Sequence, residues 1–206
     1  MTYLDIFMPE PEKIKQSMIG NRYILVQKTI NLVQEDPWRM NCLRSARSIN
    51  APDWYLAAGF LRNLIWDHLH GKVSPTPLSD VDFVYYDRED TSIESEEKLL
   101  AKLSVLLPDV PWEVRNQARM HTRNSDRPYR DTESAISHWI EIPTCVGITL
   151  DNNDSLRILA PFGLEENWSL KVRPNQFYYH SPDIFRRRAK RKLWLEYWPK
   201  LEIIRV

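Results

Sequence analysis

Apolar positions Ile24, Leu25, Ile30, Leu32 and Val33 recur mostly at helical spacing, which predicts a helix over residues 17–35. The stretch ahead of it, residues 1–15, mixes proline and charge and reads as an arm. Asp36 then stands as a cap and Pro37 at a first helical position, opening a second helix to about Ser48. The two helices read as an α-hairpin packed on the remainder of the chain.

DWYLAA, residues 53–58, is a short apolar strand that Gly59 breaks. Residues 61–70 read as a helix closed by Gly71. After a loop with Pro75 and Pro77, DVDFVYYD at residues 80–87 is rich in strand formers. Thr91 and Glu94 make a capping box for the next helix, whose stripe is Leu99, Leu100, Leu103, Leu106 and Leu107. A third strand comes next, at Trp112–Asn116. Residues 121–130 are polar and aperiodic, a surface or functional loop. A short helix at 132–139 precedes strands at 144–150 and 156–160, and residues 170–173 are an edge strand at most. Ser181 caps and Pro182 starts a last helix running to about Trp198. This order predicts an α/β (α+β) fold, a mixed β-sheet with helices mainly on one face. Residues 1–50 are the arm and helix pair, and residues 51–206 the core with its C-terminal basic helix, one domain in all.

Composition narrows the function classes. Among 206 residues, Lys+Arg and Asp+Glu both number 28. A net charge of zero argues against a chain living on non-specific phosphate contacts, while leaving room for a local basic patch. The 43% hydrophobic and 27% charged content excludes global disorder. Cys42 and Cys145 make no CxxC and no disulfide framework, and His68 and His70 point about 200° apart on their helix, so zinc is disfavoured. With no leader pattern at the N-terminus and no apolar run of about 18–20 residues, the chain reads as cytoplasmic, without a membrane partner.

The chemistry concentrates in two segments. Side chains two apart on a strand share a face, so Asp80 and Asp82 project together while Val81, Phe83 and Tyr85 point into a core. Two carboxylates on one face repel unless a cation lies between them, and hard divalent cations take oxygen ligands. Glu113, on the following strand, is the third acid if that strand pairs alongside. Gly59 ends a strand and opens a helix, which turns backbone N–H groups and a helix N-terminus toward phosphate. Acids and cradle together describe a site for a nucleotide with Mg²⁺ or Mn²⁺.

Gly59-Phe60-Leu61-Arg62-Asn63, then Gly71, then Asp80-x-Asp82, resembles the DNA polymerase β-type nucleotidyltransferase superfamily. AGFLRNLIWDHLHG, SDVDFVYYD, WEVRNQARMH, PYRD, ILAPFGLEENWSLKVRPN and FRRRAKRKLWLEYWP are similar to a bacterial nucleotidyltransferase-like family of unassigned substrate, across about residues 55–198. The resemblance implies a polymerase β-type core. It implies Asp80 and Asp82 as metal ligands with Glu113 as the third acid, and the Gly59–Arg62 loop as the contact to nucleotide phosphate. Ala58 stands where the superfamily often has glycine, Phe60 where a small residue is common, Asn63 in place of Asp, and Glu113 in place of the usual third Asp.

Gly59, Phe60, Arg62, Asn63, Arg115, Asn116 and Arg119 are the candidate nucleotide contacts, and Asp80, Asp82 and Glu113 the catalytic and metal-holding set. Trp139 or Tyr129 offers a platform for a base. The basic run at residues 186–192 is either a solvated helix face or a patch for triphosphate or nucleic acid. The preferred function is Mg²⁺-dependent transfer of a nucleoside monophosphate from an NTP to a hydroxyl acceptor, releasing pyrophosphate. Two other classes stay open: a degenerate nucleotide- or nucleic-acid-binding module, and an interaction protein of toxin–antitoxin type that docks through the N-terminal helix pair.

Overall fold

The computed structural model describes residues 10–124, 126–179 and 182–204. In chain order the elements are α1 (Glu10–Gln34), α2 (Pro37–Ser48), β1 (Tyr55–Ala57), α3 (Gly59–Leu69), β2 (Val81–Tyr85), α4 (Ile93–Leu106) and β3 (Trp112–Asn116). They continue as α5 (Met120–Asn124), α6 (Thr132–Ile136), β4 (Gly147–Leu150), β5 (Leu156–Leu159), α7 (Glu165–Trp168), β6 (Lys171–Val172), α8 (Pro182–Arg191), α9 (Trp194–Tyr197) and β7 (Glu202–Ile203).

One sheet runs in the order β3-β2-β1-β4-β5. β2 and β3 are parallel, joined through α4, and the other neighbours are antiparallel, so the sheet is mixed. Leu56 lies opposite both Phe83 and Ile148, and Val114 opposite Phe83, which puts these side chains on one face. That face is buried against Val33 of α1, Cys42, Leu43 and Ala46 of α2, Phe60, Leu61 and Ile65 of α3, and Leu103 of α4. The other face carries Asp82 and Glu113.

Local chemistry explains the helix ends. Asp36 caps α2 by accepting from the Arg39 N–H at 3.0 Å, with Pro37 in the first turn as expected. The cap of α4 is Ser92 rather than Thr91: its hydroxyl accepts from the Ser95 N–H at 3.2 Å. Leu106, expected in the stripe, is instead exposed, because α4 ends there and turns its last residue outward. α1 begins at Glu10, inside the segment read as an arm. β1 is shorter than expected because Asp53 and Ala58, at its two flanks, both take positive φ.

The expected single C-terminal helix is two. Leu193 adopts the left-handed conformation (φ 52°) and separates α8 from α9. The proposed cap Ser181 lies outside the described residues. Beyond α9, β7 returns to pair in parallel with β6, a short strand pair that the sequence pattern does not predict. This end of the chain has its own apolar cluster, with Trp66 of α3 edge-on to Trp194 (centroids 5.5 Å) and Trp198 (5.1 Å). Truncating a tryptophan so buried costs about 3–5 kcal/mol. The Trp198 indole N–H donates to Asp67 Oδ1 at 2.7 Å, fixing α9 to the back of α3. α3 is thereby held between the sheet and the C-terminal cluster, with its N-terminus at the site. No helix among the described residues is long and apolar enough to cross a membrane.

Candidate active site

A cleft of about 450 Å³ opens where β1 passes into α3. Ala58 and Gly59 form one lip and Asp80, Asp82 and Glu113 the floor. The strand register explains the floor. Asp82 is the direct partner of Glu113 across the parallel β2–β3 pair, and of Ala57 across the antiparallel β1–β2 pair. Alternation along β2 places Asp80 on the same side as Asp82 while Val81, Phe83 and Tyr85 are buried opposite.

The acids feel one another. Burial, reinforced by the charges of Asp80 and Glu113, pushes the Asp82 carboxyl up to about 7, against the opposing pull of Arg62 and Lys192. Glu113 Oε1 lies 3.0 Å from Arg115 Nη2, and Asp80 Oδ2 lies 3.9 Å from Lys192 Nζ. With the carboxylates turned to these cations, no three His, Cys, Asp or Glu side chains among the described residues are gathered to hold an ion. The donor set itself is oxygen-only, which suits Mg²⁺ or Mn²⁺ better than softer metals.

The lip is strained. Ala58 caps α3 with φ 52° and ψ −115°, a conformation L residues rarely take, and offers no side-chain cap. The turn is tied down by the Ala58 N–H, which donates to the Val146 carbonyl of the strand-end region at 2.8 Å. Gly59 is next, where an added Cβ would come within 3.2 Å of Leu78 and 3.5 Å of the Arg62 guanidinium. An 11-residue helix thus presents an uncapped N-terminus to the cleft.

Arg62 lies behind this lip, almost wholly buried. Its Nη1 donates to Thr144 Oγ1 at 2.8 Å, and its Nε and Nη2 to Asn63 Oδ1 at 3.2 and 3.0 Å. The guanidinium also packs over Trp66 and Trp194, at 5.2 and 5.0 Å. Burial lowers its pKa to about 10, while Glu141, Asp82 and Asp80 hold it charged. Glu141, with no exposed surface, meets Arg188 Nε of α8 at 2.6 Å.

The structure brings Gly59, Arg62, Asp80, Asp82, Glu113 and Arg115 to one cleft. Four expected nucleotide contacts lie outside its lining. The Phe60 ring is fully buried toward α2, near Trp38 and the Arg39 guanidinium. Asn63 serves Arg62 rather than the cleft. Asn116 falls on the core side by strand alternation, and its amide bonds the backbone of Asp87 and Asp90 at 2.7 and 2.9 Å. Arg119 pairs with the buried Glu96 of α4, Nη2 to Oε2 at 2.6 Å. Trp139 and Tyr129 do line the cleft. So do Arg123, Thr144 and Tyr178, which carry no sequence signal; their approach depends on contacts between segments far apart in the chain. The basic run divides, with Arg188, Arg191 and Lys192 lining the cleft and Arg186 and Lys190 facing elsewhere.

Comparisons with known proteins speak to the fold and the family. No curated protein matches the chain in sequence. An NMR structure described as revealing a CCA-adding enzyme head domain is 29% identical, with a TM-score of 0.77 over 87% of this chain and 96% of that one. A CCA-adding enzyme in complex with CTP shares the fold at 14% identity and a TM-score of 0.56. That alignment takes in 85% of this chain but 43% of the other, so the protein spans less than half of that relative. The family described as "Nucleotidyltransferase" matches residues 44–203, a span that contains every residue of the acid-lined cleft. The protein is therefore a member of the nucleotidyltransferase family.

Proposed function

We propose that the protein transfers a nucleoside monophosphate from a nucleoside triphosphate to a hydroxyl acceptor, with release of pyrophosphate, and that it uses a divalent cation, Mg²⁺ or Mn²⁺, to do so. One observation carries this reading: Asp82 and Glu113 are register partners on parallel strands, beside Asp80, at the open N-terminus of α3. Relatives described in complex with CTP and with ATP support a triphosphate as donor.

Asp80, Asp82 and Glu113 would hold the cation. Burial first, and then the charges of Asp80 and Glu113, raise Asp82, and a divalent ion would offset both. Such an ion, when bound, offsets phosphate charge and acidifies an acceptor hydroxyl. The protein's own groups do the rest. The α3 N-terminus and Gly59 receive phosphate, and the absence of a Cβ at Gly59 leaves room for the Leu78 and Arg62 side chains that pack beside it. Arg62 is held by Thr144 and Asn63 in one orientation, so its positive charge is in place before nucleotide arrives. Tyr129, Trp139 and Tyr178 supply aromatic surface for the base.

The test is calorimetric titration of ATP, GTP, CTP and UTP with and without Mg²⁺, repeated on Asp82→Ala. Mg²⁺-dependent binding that disappears in the variant is expected. Pyrophosphate release with an RNA offering free 3′ hydroxyls should vanish in Asp80→Asn/Asp82→Asn while the fold persists. A double variant with full turnover would falsify the assignment.

A further inference from the structure

Half of the cations that line the cleft come from one end of one helix. Arg188, Arg191 and Lys192 keep i, i+3, i+4 spacing and line the cleft, whereas Arg186 and Lys190 lie on the opposite side of α8 and line a separate groove. Six cationic side chains and three carboxylates line the cleft, in a chain whose formal charge is zero. The surplus is local, and half of the six cations are committed. Arg62 is hydrogen-bonded to Thr144 and Asn63, while Arg115 is ion-paired with Glu113 and Arg188 with Glu141. Two members of the α8 face are not. The Arg191 side chain is exposed and has no ion-pair or hydrogen-bond partner among the described residues. Among the described residues, Lys192 pairs with Asp80, at 3.9 Å.

The wall bearing these two residues is fixed in place. Phe185 is buried in the C-terminal cluster, Arg188 is anchored on Glu141, and the left-handed Leu193 ends the helix directly after Lys192. The Lys192 N–H still donates to the Arg188 carbonyl at 3.0 Å, so Lys192 keeps the helical register that aims it at the acids.

We propose that Arg191 and Lys192 form a clamp for the terminal phosphates of the nucleotide in the cleft that Gly59 also lines. This rests on the triphosphate-donor reading above and deepens it. The ligand class is a linear polyphosphate carried by a nucleotide. A cleft of about 450 Å³ fits a ligand of that size, and its lining holds Arg191, unpaired among the described residues, a Lys192 tied only loosely to Asp80, and an uncapped helix N-terminus, which give a phosphate chain several contacts. Arg supplies paired donors to phosphate oxygens, and Lys a point charge next to the acid cluster.

The experiment is calorimetric titration of the full chain with inorganic tripolyphosphate and with ATP plus Mg²⁺. It compares wild type with Arg191→Gln/Lys192→Gln and with Arg186→Gln/Lys190→Gln. Both variants lose two positive charges from the same helix, so a general charge effect would weaken both alike. The expected result is about tenfold or greater weakening for the 191/192 pair with both ligands, and wild-type affinity for the 186/190 pair. Arg191→Gln alone, at an exposed position, should show part of the loss if the double variant folds poorly. Equal binding by the two double variants overturns the clamp, as does a wild type that ignores tripolyphosphate. A 191/192 variant that loses affinity for single-stranded RNA but keeps it for tripolyphosphate also overturns it. If wild type releases pyrophosphate while the 191/192 variant binds as wild type, the clamp falls and the transfer reading stands. If the variant loses tripolyphosphate but wild type transfers nothing, the clamp stands and the transfer reading falls.

Discussion

Asp82 and Glu113 sit directly opposite each other on parallel strands, and the charge of Glu113 is one of the forces raising the Asp82 pKa to about 7. A carboxyl raised in the native state binds a proton that the unfolded chain has already lost. Its stabilising contribution is complete below about pH 4 and disappears as pH climbs to about 7. Asp82→Asn removes that loss. In EDTA, the variant should match wild type near pH 4 and melt higher at pH 8, by on the order of 10 °C for a shift of this size in a chain of this length. Thermal unfolding at both pH values decides it, and identical melting at pH 8 would show that the acids do not strain the metal-free site.

Ala58 pays for its backbone conformation with steric strain of about 1–3 kcal/mol, against about 0.5–1 kcal/mol of extra chain entropy lost by a glycine there. Ala58→Gly is expected to stabilise the protein by about 1 kcal/mol, seen as a higher urea midpoint with an unchanged slope. Ala58→Val, β-branched at positive φ, should move the midpoint the other way.

Glu141 has no exposed surface and Arg188 approaches it from α8. Glu141→Ala leaves Arg188 without its carboxylate and should cost about 3–5 kcal/mol. The same variant should release α8, with its many basic residues, to trypsin. Limited proteolysis that stays at the wild-type rate would argue that the Trp66–Trp194–Trp198 cluster alone holds the helix.

The α4 cap separates two adjacent residues. Ser92→Ala removes the hydroxyl that accepts from the Ser95 N–H and should cost about 1 kcal/mol, whereas Thr91→Ala should leave the melting temperature within error. The reverse order would restore Thr91 as the cap.

What the sequence disclosed was what short-range periodicity encodes. Alternation along β2 put Asp80 and Asp82 on one side and Val81, Phe83 and Tyr85 on the other, because strand side chains alternate whatever the tertiary context. Asp36-Pro37 announced α2 because cap and first-turn geometry are local. Arg62 looked equally suited to a helix surface, and its burial depends on Thr144 and Trp194, 82 and 132 residues further on. Asn116 and Arg119 read as a donor cluster because both lie at or just after the end of the third strand. Their true partners, the backbone of the 87–90 turn and Glu96, belong to the α4 connection. Glu141 carried no signal at all, since a lone acid between Ile140 and Ile142 resembles any half-exposed strand residue. The α8–α9 break was equally hidden, because a leucine in the left-handed region has no sequence mark.

The parallel pairing of β6 with β7 has a bearing on how the protein is made. Synthesis runs from the N-terminus, so Asp80, Asp82 and Glu113 emerge and can find their strand partners well before residues 188–203 exist. Until then the cleft has acids without α8 as its facing wall. The cleft is finished by a segment made well after its acids, and a nascent chain can have its sheet in order while still lacking the cationic wall that faces them.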